Sequence, residues 1–278
     1  MHGLSAENIL LLRWVVSEYP KNGIIDVFVC MSINLNKSIC TAFISFLSLT
    51  GYAQKTSEQI WLEYMVNYPF ANSFNVENAF VYSNSLSGNQ FRDFSYTPTL
   101  EYSLTQNIDF QGAATVGYTK QTESYNTFEV RPMLGSRIYF TRNRRIQVRL
   151  LLRYELRNLK NLEANSWETV GRPRARLETL LPINGKSIFE DKLWYGILDA
   201  ELLYTKNEVE ERFANRFRLR VGIGYRITYS SRFEFLYMAQ QSKNAIDGDF
   251  ETTENIFRLR YKHFLRKTSK AKIEGNGN

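Results

Sequence analysis

Charged side chains alternate with apolar ones along much of the chain, and this spacing decides what chemistry they could perform. Because successive side chains of a β-strand point to opposite faces, charges at every second position share one face. Arginine and carboxylate groups on one face can pair with each other, and an arginine excess can select anions. The candidates for such a face are Arg149, Arg153, Arg172, Arg174, Arg176, Arg216, Arg218, Arg220, Glu155, Glu178, Glu201 and Glu234.

Catalytic and metal-binding residues are scarce. Lipid hydrolases and related acyl-transfer enzymes generally need a histidine base beside a serine. His263 is the single histidine after residue 53, and it ends a strand-like run beside a basic tail. We expect it to be an interfacial residue and expect no enzymatic activity. No cluster has the spacing of zinc ligands, and we predict neither a metal nor another cofactor.

The stretch Val209–Gln241 carries the clearest structural signal. In its first half, every second position from Phe213 to Ile227 is mostly apolar, and the positions between them include Arg216, Arg218 and Arg220. A period of two over this length predicts a β-strand. Thr228–Ser231 is a polar turn, after which the alternation resumes. The stretch therefore predicts a long hairpin with one apolar face and one arginine-rich face.

Strand-like runs of the same kind follow one another along the chain, and none of the links between them is a convincing helix. Eleven runs can be counted: Ile60–Tyr68, Phe74–Tyr82, Phe94–Leu104, Ile108–Tyr118, Phe128–Phe140, Ile146–Leu156, Trp167–Leu181, Trp194–Tyr204, Phe213–Ile227, Arg232–Gln240 and Ile256–Phe264. The pattern predicts an all-β protein, an antiparallel up-and-down transmembrane β-barrel. Because bacterial barrels usually close with an even number of strands, we expect twelve, with ten as the alternative.

Alternation alone does not say which face points inward, so strand length and aromatic placement must decide. The runs are longer than typical strands of soluble sandwiches. Aromatic residues lie near run ends on the apolar parity, as in the interfacial girdles of membrane barrels. They are Tyr68, Phe74, Tyr82, Phe94, Tyr118, Phe140, Tyr204 and Phe213. A soluble periplasmic β-protein remains the alternative, because aromatic residues also fill sandwich cores.

Short and long links alternate between the runs. Short links follow Leu104, Phe140 and Ile227, and Pro182–Lys186 carries an Asn-Gly turn signal. Longer polar links are Gln121–Asn126, Asn158–Ser166, Thr205–Glu211 and Ser242–Glu254. Tight periplasmic turns and long external loops are typical of outer-membrane barrels. The pattern places the C-terminus on the periplasmic side.

The N-terminal part has the layout of an export signal. Residues 31–53 contain Lys37, an apolar stretch from Ile39 to about Leu49, and small residues before a predicted cleavage ahead of Gln54. The apolar stretch is too short for a transmembrane helix. Residues 1–30 would then be a mis-assigned extension, with translation starting at Met31 rather than Met1. The predicted organisation is completed by a barrel over residues 54–264 and a basic, disordered tail over residues 265–278.

Export changes what the composition means. Both cysteines of the chain, Cys30 and Cys40, precede the predicted cleavage point, so the mature chain would have no disulfide. A closed barrel supplies rigidity by another route, because it leaves no strand edge unpaired.

Four segments carry a resemblance to a known family: Arg149–Arg157, Arg172–Ile183, Asn215–Ile227 and Arg232–Gln241. Their patterns of Arg, Tyr and Gly on alternating strands resemble an uncharacterised family of Gram-negative outer-membrane β-barrels, domain of unknown function 2490. The resemblance covers most of residues 59–264 and implies the fold and the location, with no catalytic residues to carry over. The chain departs from it by continuing for fourteen residues beyond Phe264, whereas such barrels usually end on an aromatic residue.

The functional expectation is an outer-membrane barrel reached through the signal peptide. It would be either a structural envelope barrel filled by ion pairs or a narrow anion-preferring, porin-like channel, with the twelve charged residues lining the lumen. Expected partners are outer-membrane lipids, lipopolysaccharide, the barrel-assembly machinery and a small anionic solute. Despite the net charge of +7, the signal peptide argues against nucleic acid. A lipid-modifying outer-membrane enzyme is the alternative of a different class.

Overall fold

The computed structural model describes residues 57–71, 73–87, 91–122, 125–142, 145–205, 216–243 and 250–265. By internal contacts the chain divides into Met1–Tyr52 and Ala53–Asn278, and all described residues lie in the second unit. The predicted extension, signal peptide and nearly all of the tail lie outside the described residues, as does Phe213. Among the described residues, no helix is long and apolar enough to cross a membrane.

Eleven strands make up the fold. They are β1 (Ser57–Pro69), β2 (Phe74–Ser85), β3 (Arg92–Ser103), β4 (Ile108–Thr122), β5 (Tyr125–Tyr139), β6 (Gln147–Asn161), β7 (Ser166–Pro182), β8 (Leu193–Leu203), β9 (Arg216–Thr228), β10 (Ser231–Lys243) and β11 (Phe250–Phe264). Each pairs with its neighbours in the sequence, and β1 pairs with β11 to close a barrel. The prediction of an all-β, up-and-down closed barrel is confirmed.

The predicted strand number is wrong, and so is the prediction that every strand pair is antiparallel. The barrel has eleven strands rather than twelve or ten, and its closing pair β1–β11 is parallel, with Ile60 opposite Phe257 and Tyr64 opposite Tyr261. An odd number of alternating strands makes the first and last run in the same direction, so a parallel seam is unavoidable. Consequently Ser57 and Phe264 lie at opposite ends of the barrel, named here the Ser57 end and the Phe264 end.

The predicted alternation of short and long links holds only in part. Much of Gln121–Asn126 and Asn158–Ser166 is strand, because β4 and β5 extend to Thr122 and Tyr125, and β6 and β7 extend to Asn161 and Ser166. At the Ser57 end, Glu163 accepts hydrogen bonds from the backbone N–H and the amide of Asn126, at 2.8 and 2.6 Å. The backbone bond lowers the pKa of the Glu163 carboxyl.

At the Phe264 end the predicted tight turn at Pro182–Lys186 is instead a longer link, spanning residues 183–192. Ile188 of this link is buried against Leu180, Leu193, Tyr195, Ile197 and Leu236. The buried guanidinium of Arg226 donates to the Ile188 carbonyl at 2.9 Å. The link therefore folds inward and covers part of this end of the barrel.

Candidate functional site

The two faces of the barrel wall differ sharply in polarity. Along β8 the burial alternates strictly, with Trp194, Leu198 and Leu202 exposed and Asp199 and Glu201 buried. The same parity holds on the other strands, so apolar side chains cover the outside and charged side chains fill the inside. Because neighbouring strands are in register, inner residues of adjacent strands meet as cross-strand pairs.

The structure places all twelve sequence-predicted residues on the inner parity. Arg149, Arg153 and Glu155 belong to β6, and Arg172, Arg174, Arg176 and Glu178 belong to β7. Glu201 belongs to β8, Arg216, Arg218 and Arg220 belong to β9, and Glu234 belongs to β10. Four adjacent strands, β6 to β9, bring eleven of them together, and Glu234 lies in a separate cluster nearer the closing seam.

Glu155 is the centre of the first cluster. Its carboxylate is fully buried and accepts from Arg172 at 2.7 Å and from Arg174 at a shorter distance, while Arg153 stands 3.8 Å away. Register explains the first contact, since Glu155 lies directly opposite Arg172. A buried carboxylate is stable only when such partners replace its hydration.

Arg174 connects this cluster to a second one around Glu201. Its guanidinium bonds both carboxylates, one from β6 and one from β8. Glu201 is also 3.6 Å from Arg218 and 3.5 Å from Arg220, whose Nε donates to Asp199. The result is a continuous network of charge-assisted hydrogen bonds across β6, β7, β8 and β9.

Glu178 and Glu234 are the remaining two predicted carboxylates. Arg149 donates to Glu178 at short distance, and Arg176 stands 4.0 Å from the same carboxylate. Glu234 binds Arg260 at 2.8 Å, Lys262 at 2.9 Å and the Tyr195 hydroxyl at 2.7 Å. Arg216 is placed opposite Leu203 and Ser242, at the Ser57 end of β9.

Several inner residues were absent from the predicted set. Glu63 of β1 binds Arg258 at 2.8 Å and also Arg260, which fastens the parallel seam. Glu101 of β3 binds Arg137 of β5 at 2.9 Å, across β4. The alternation in the sequence predicts that these residues face inward. Their ion-pair partners depend on which strands lie side by side, and the local sequence does not show that.

Tyr195 is a further inner residue that the sequence did not single out. It reaches Glu234 over Gly224, which lies opposite it, and a Cβ on that glycine would collide with the tyrosine ring. Gly224 therefore provides space for a side chain, and not only the strand curvature that mid-strand glycine suggests.

His263, predicted to be an interfacial residue rather than a general base, lies opposite Ser231 on β10. The Tyr261 hydroxyl stands between them, 3.2 Å from Ser231 Oγ and 3.5 Å from His263 Nδ1. Among the described residues, no carboxylate bonds the imidazole, although a hydrolytic histidine is held by such a third group. No three His, Cys, Asp or Glu residues in the described ranges are arranged to hold a metal ion.

Comparison with known proteins gives one result. A family described as "Protein of unknown function (DUF2490)" matches residues 58–251, which include β2 to β10 and all of β1 except Ser57. The chain belongs to this family. No curated protein and no solved structure matches the chain. Membership of the family agrees with the sequence resemblance, while its description assigns no activity to the charged interior.

Proposed function

We propose that the protein is an outer-membrane β-barrel with a side-chain-filled lumen, acting as a structural envelope barrel rather than an open channel. The observation that carries this proposal is the polarity of the wall, apolar outside and charged inside. Outer side chains such as Leu134 and Phe140 are 73% and 59% exposed. A soluble barrel would place its charges in water, and contiguous apolar surface of this extent is rare on soluble monomers.

Strand length supports a membrane location. The strands run from 11 residues in β8 to 17 residues in β7. Tilted strands of about 9–11 residues cross the hydrocarbon layer. Every strand is therefore long enough to span a bilayer, with the backbone hydrogen bonds satisfied inside the closed sheet.

Aromatic side chains on the outer face give a second line of support. Seven of them occupy directly opposed positions on seven neighbouring strands: Trp194, Tyr225, Phe233, Tyr261, Tyr64, Phe80 and Tyr96. Ring centroids of consecutive members lie 4.6 Å apart for Phe233 and Tyr261 and 5.8 Å apart for Tyr261 and Tyr64. Five of the seven are Tyr or Trp, the aromatic residues enriched where membranes meet water, so lipids and lipopolysaccharide are the proposed contacts.

Burial inside the barrel supports a closed lumen. Glu155, Glu201 and Asp199 are at most 4% exposed, and inner arginines reach across to them. The apolar cluster around Ile188 adds a second obstruction at the Phe264 end. A barrel of this size lies between side-chain-filled barrels and open porins, and the charged network supports a filled lumen.

The test of location is fractionation of cells expressing the chain, followed by electrophoresis with and without heating. We expect the protein in the outer membrane, with a faster-migrating unheated form. A protein released with the periplasm, whose migration does not change on heating, would contradict the proposal and favour a soluble β-protein.

The test of the closed lumen is conductance across a planar bilayer. We expect no steady conductance. Anion-selective conductance that disappears on neutralising Arg216, Arg218 and Arg220 would replace the structural proposal with the channel alternative.

The proposal assigns no enzymatic activity. The neighbouring residues Ser231 and His263 allow this to be tested. A fluorophosphonate probe labels serine nucleophiles that a neighbouring base activates. We expect no labelling of the folded barrel. Labelling lost in both Ser231→Ala and His263→Gln would show an activated serine, contradict this proposal and favour the lipid-modifying alternative.

A further inference from the structure

Two inner arginines of neighbouring strands differ from the rest of the network. Arg153 of β6 lies opposite Arg174 of β7, so Arg176 occupies the next inner position diagonally from Arg153. Diagonal neighbours on one face have Cβ atoms roughly 7–8 Å apart. Long side chains at such positions can converge on one ligand.

The carboxylates nearest these two arginines are already engaged by other cations. Glu155 accepts from Arg172 and Arg174, and Glu178 accepts from Arg149. Arg153 is left 3.8 Å from Glu155, and Arg176 is left 4.0 Å from Glu178, the two longest ion pairs described inside the barrel. Both arginines are therefore surplus to the pairing of the acids beside them.

The hydrogen-bonding capacity of these two arginines is also only partly used. A guanidinium nitrogen of Arg153 points to the Met133 sulfur at 3.8 Å, and a thioether is a weak acceptor. The buried Nε of Arg176 has no hydrogen-bond acceptor among the described residues. Leaving a buried N–H unsatisfied is unfavourable, so an acceptor brought by a ligand would stabilise this position.

The exposed fractions of the charged side chains show which charge a solute inside the barrel would contact. The side chains of Arg153 and Arg176 are 24% and 19% exposed, whereas those of Glu155 and Glu178 are 0% and 10% exposed. The arginine side chains are more accessible than the carboxylates beside them, so the accessible surface at this point of the interior is mainly cationic.

We propose that Arg153 and Arg176 form a binding site for a small soluble oxyanion of the phosphate or sulfate class. Guanidinium groups present paired N–H donors that match two oxygens of such an anion, and two groups together offset its charge. The anion would supply the acceptor that Arg176 Nε lacks and relieve the repulsion between the two cations. The site requires the charged interior of the closed barrel and does not depend on a membrane location.

The test is calorimetric titration of the full chain, folded in a zwitterionic detergent, with inorganic phosphate at constant ionic strength. We expect saturable binding, with sulfate competing and chloride not. Arg153→Gln and Arg176→Gln should each raise the Kd about tenfold or more, the effect of losing a charged hydrogen bond. The matched control Arg145→Gln removes an exposed arginine outside the network and should leave the Kd unchanged.

The two variants should fold, because each removes a surplus cation. Their unfolding midpoints without phosphate should equal or exceed that of the unchanged chain. Phosphate that fails to saturate, or that binds equally well to both variants, would overturn the site. Binding of phosphatidylglycerol in mixed micelles without binding of inorganic phosphate would also overturn it, by assigning the arginines to lipid. These outcomes leave the fractionation result untouched, so the site and the membrane proposal can fail separately.

Discussion

Two parts of the inner surface carry different charges. The inner surface of β1–β4 is called here the acidic wall, and that of β5–β11 is called the arginine wall. The inner positions of β1–β4 hold Glu63, Glu77, Asp93, Glu101 and Asp109, and no lysine or arginine among the described residues. The two basic residues of these strands, Arg92 and Lys120, have the outward parity and lie opposite each other. Every inward arginine therefore comes from the arginine wall.

This difference shows how the lumen is held together. Within the acidic wall, neutral side chains donate the cross-strand bonds, as Thr119 does to Asp93 and as in the 2.7 Å contact between the Thr97 and Thr115 hydroxyls. Ion pairs join the two walls where they meet, from Arg137 to Glu101 and from Arg258 to Glu63. Inside the arginine wall, Glu155, Glu201 and Glu234 each hold two or more cations. Removing one carboxylate should therefore lower the free energy of unfolding most when that carboxylate belongs to the arginine wall.

The largest effect is expected for Glu155→Gln. The substitution leaves Arg172 without its buried carboxylate and Arg174 with Glu201 alone. Breaking such a buried pair costs about 3–5 kcal/mol of unfolding free energy. Urea titration of the barrel in lipid vesicles measures it, with the exposed Glu58→Gln as control. A loss no larger than that of the control would mean that the network contributes nothing to stability.

A smaller loss is expected for Glu101→Gln in the acidic wall. Arg137 is its one described ion-pair partner, and the new amide can still bond the side chains of Asn75 and Gln111. We expect a loss of about 1.5–3 kcal/mol, the value of a hydrogen bond to a charged group. If the same titration gave a larger loss than Glu155→Gln, the contrast between the walls would be wrong.

Gly224→Ala tests the packing of the arginine wall at the Phe264 end. The added Cβ meets the Tyr195 ring, so overpacking should cost about 1–3 kcal/mol. Gly196→Ala is the matched control on the neighbouring strand, where the same atom makes ordinary contacts with Leu181. Equal midpoints for the two variants would show that Tyr195 needs no space from Gly224.

The smallest effect is expected for the threonine pair of the acidic wall. Thr97→Val or Thr115→Val alone leaves a polar partner unpaired and should cost about 1 kcal/mol. The double variant should cost less than the sum of the two, because it leaves no unsatisfied hydroxyl. Fully additive losses in a double-mutant cycle would exclude a bond between the two hydroxyls.

Face assignment was largely predictable from the sequence, because burial follows the period of two from β1 to β11. Arg149, Arg153 and Glu155 could be placed on one face from their spacing alone. The asymmetry of the walls was also visible, since β1 and β2 contain no basic residue. Strand number was not predictable in the same way, since alternation carries no information about which strands close the barrel.

Ion-pair partners could not be predicted for a related reason. Arg174 bridges Glu155 and Glu201 because β7 lies between β6 and β8 in a particular register. A shift of one residue would turn the arginines outward, and a shift of two would exchange their partners. The inward fold of residues 183–192 was equally hidden, because an Asn-Gly signal predicts a turn and says nothing about Ile188.

The central claim is a barrel with lipid outside and charge inside, and one strand can test it directly. Single cysteines at each position from Val76 to Tyr82 of β2, with Cys30 and Cys40 replaced by serine, would carry spin labels in lipid vesicles. Collision with oxygen, which concentrates in the bilayer, should peak at Val76, Asn78, Phe80 and Tyr82 and fall at the positions between. An oscillation of opposite phase, or equal access of a water-soluble nickel reagent to both parities, would contradict the account.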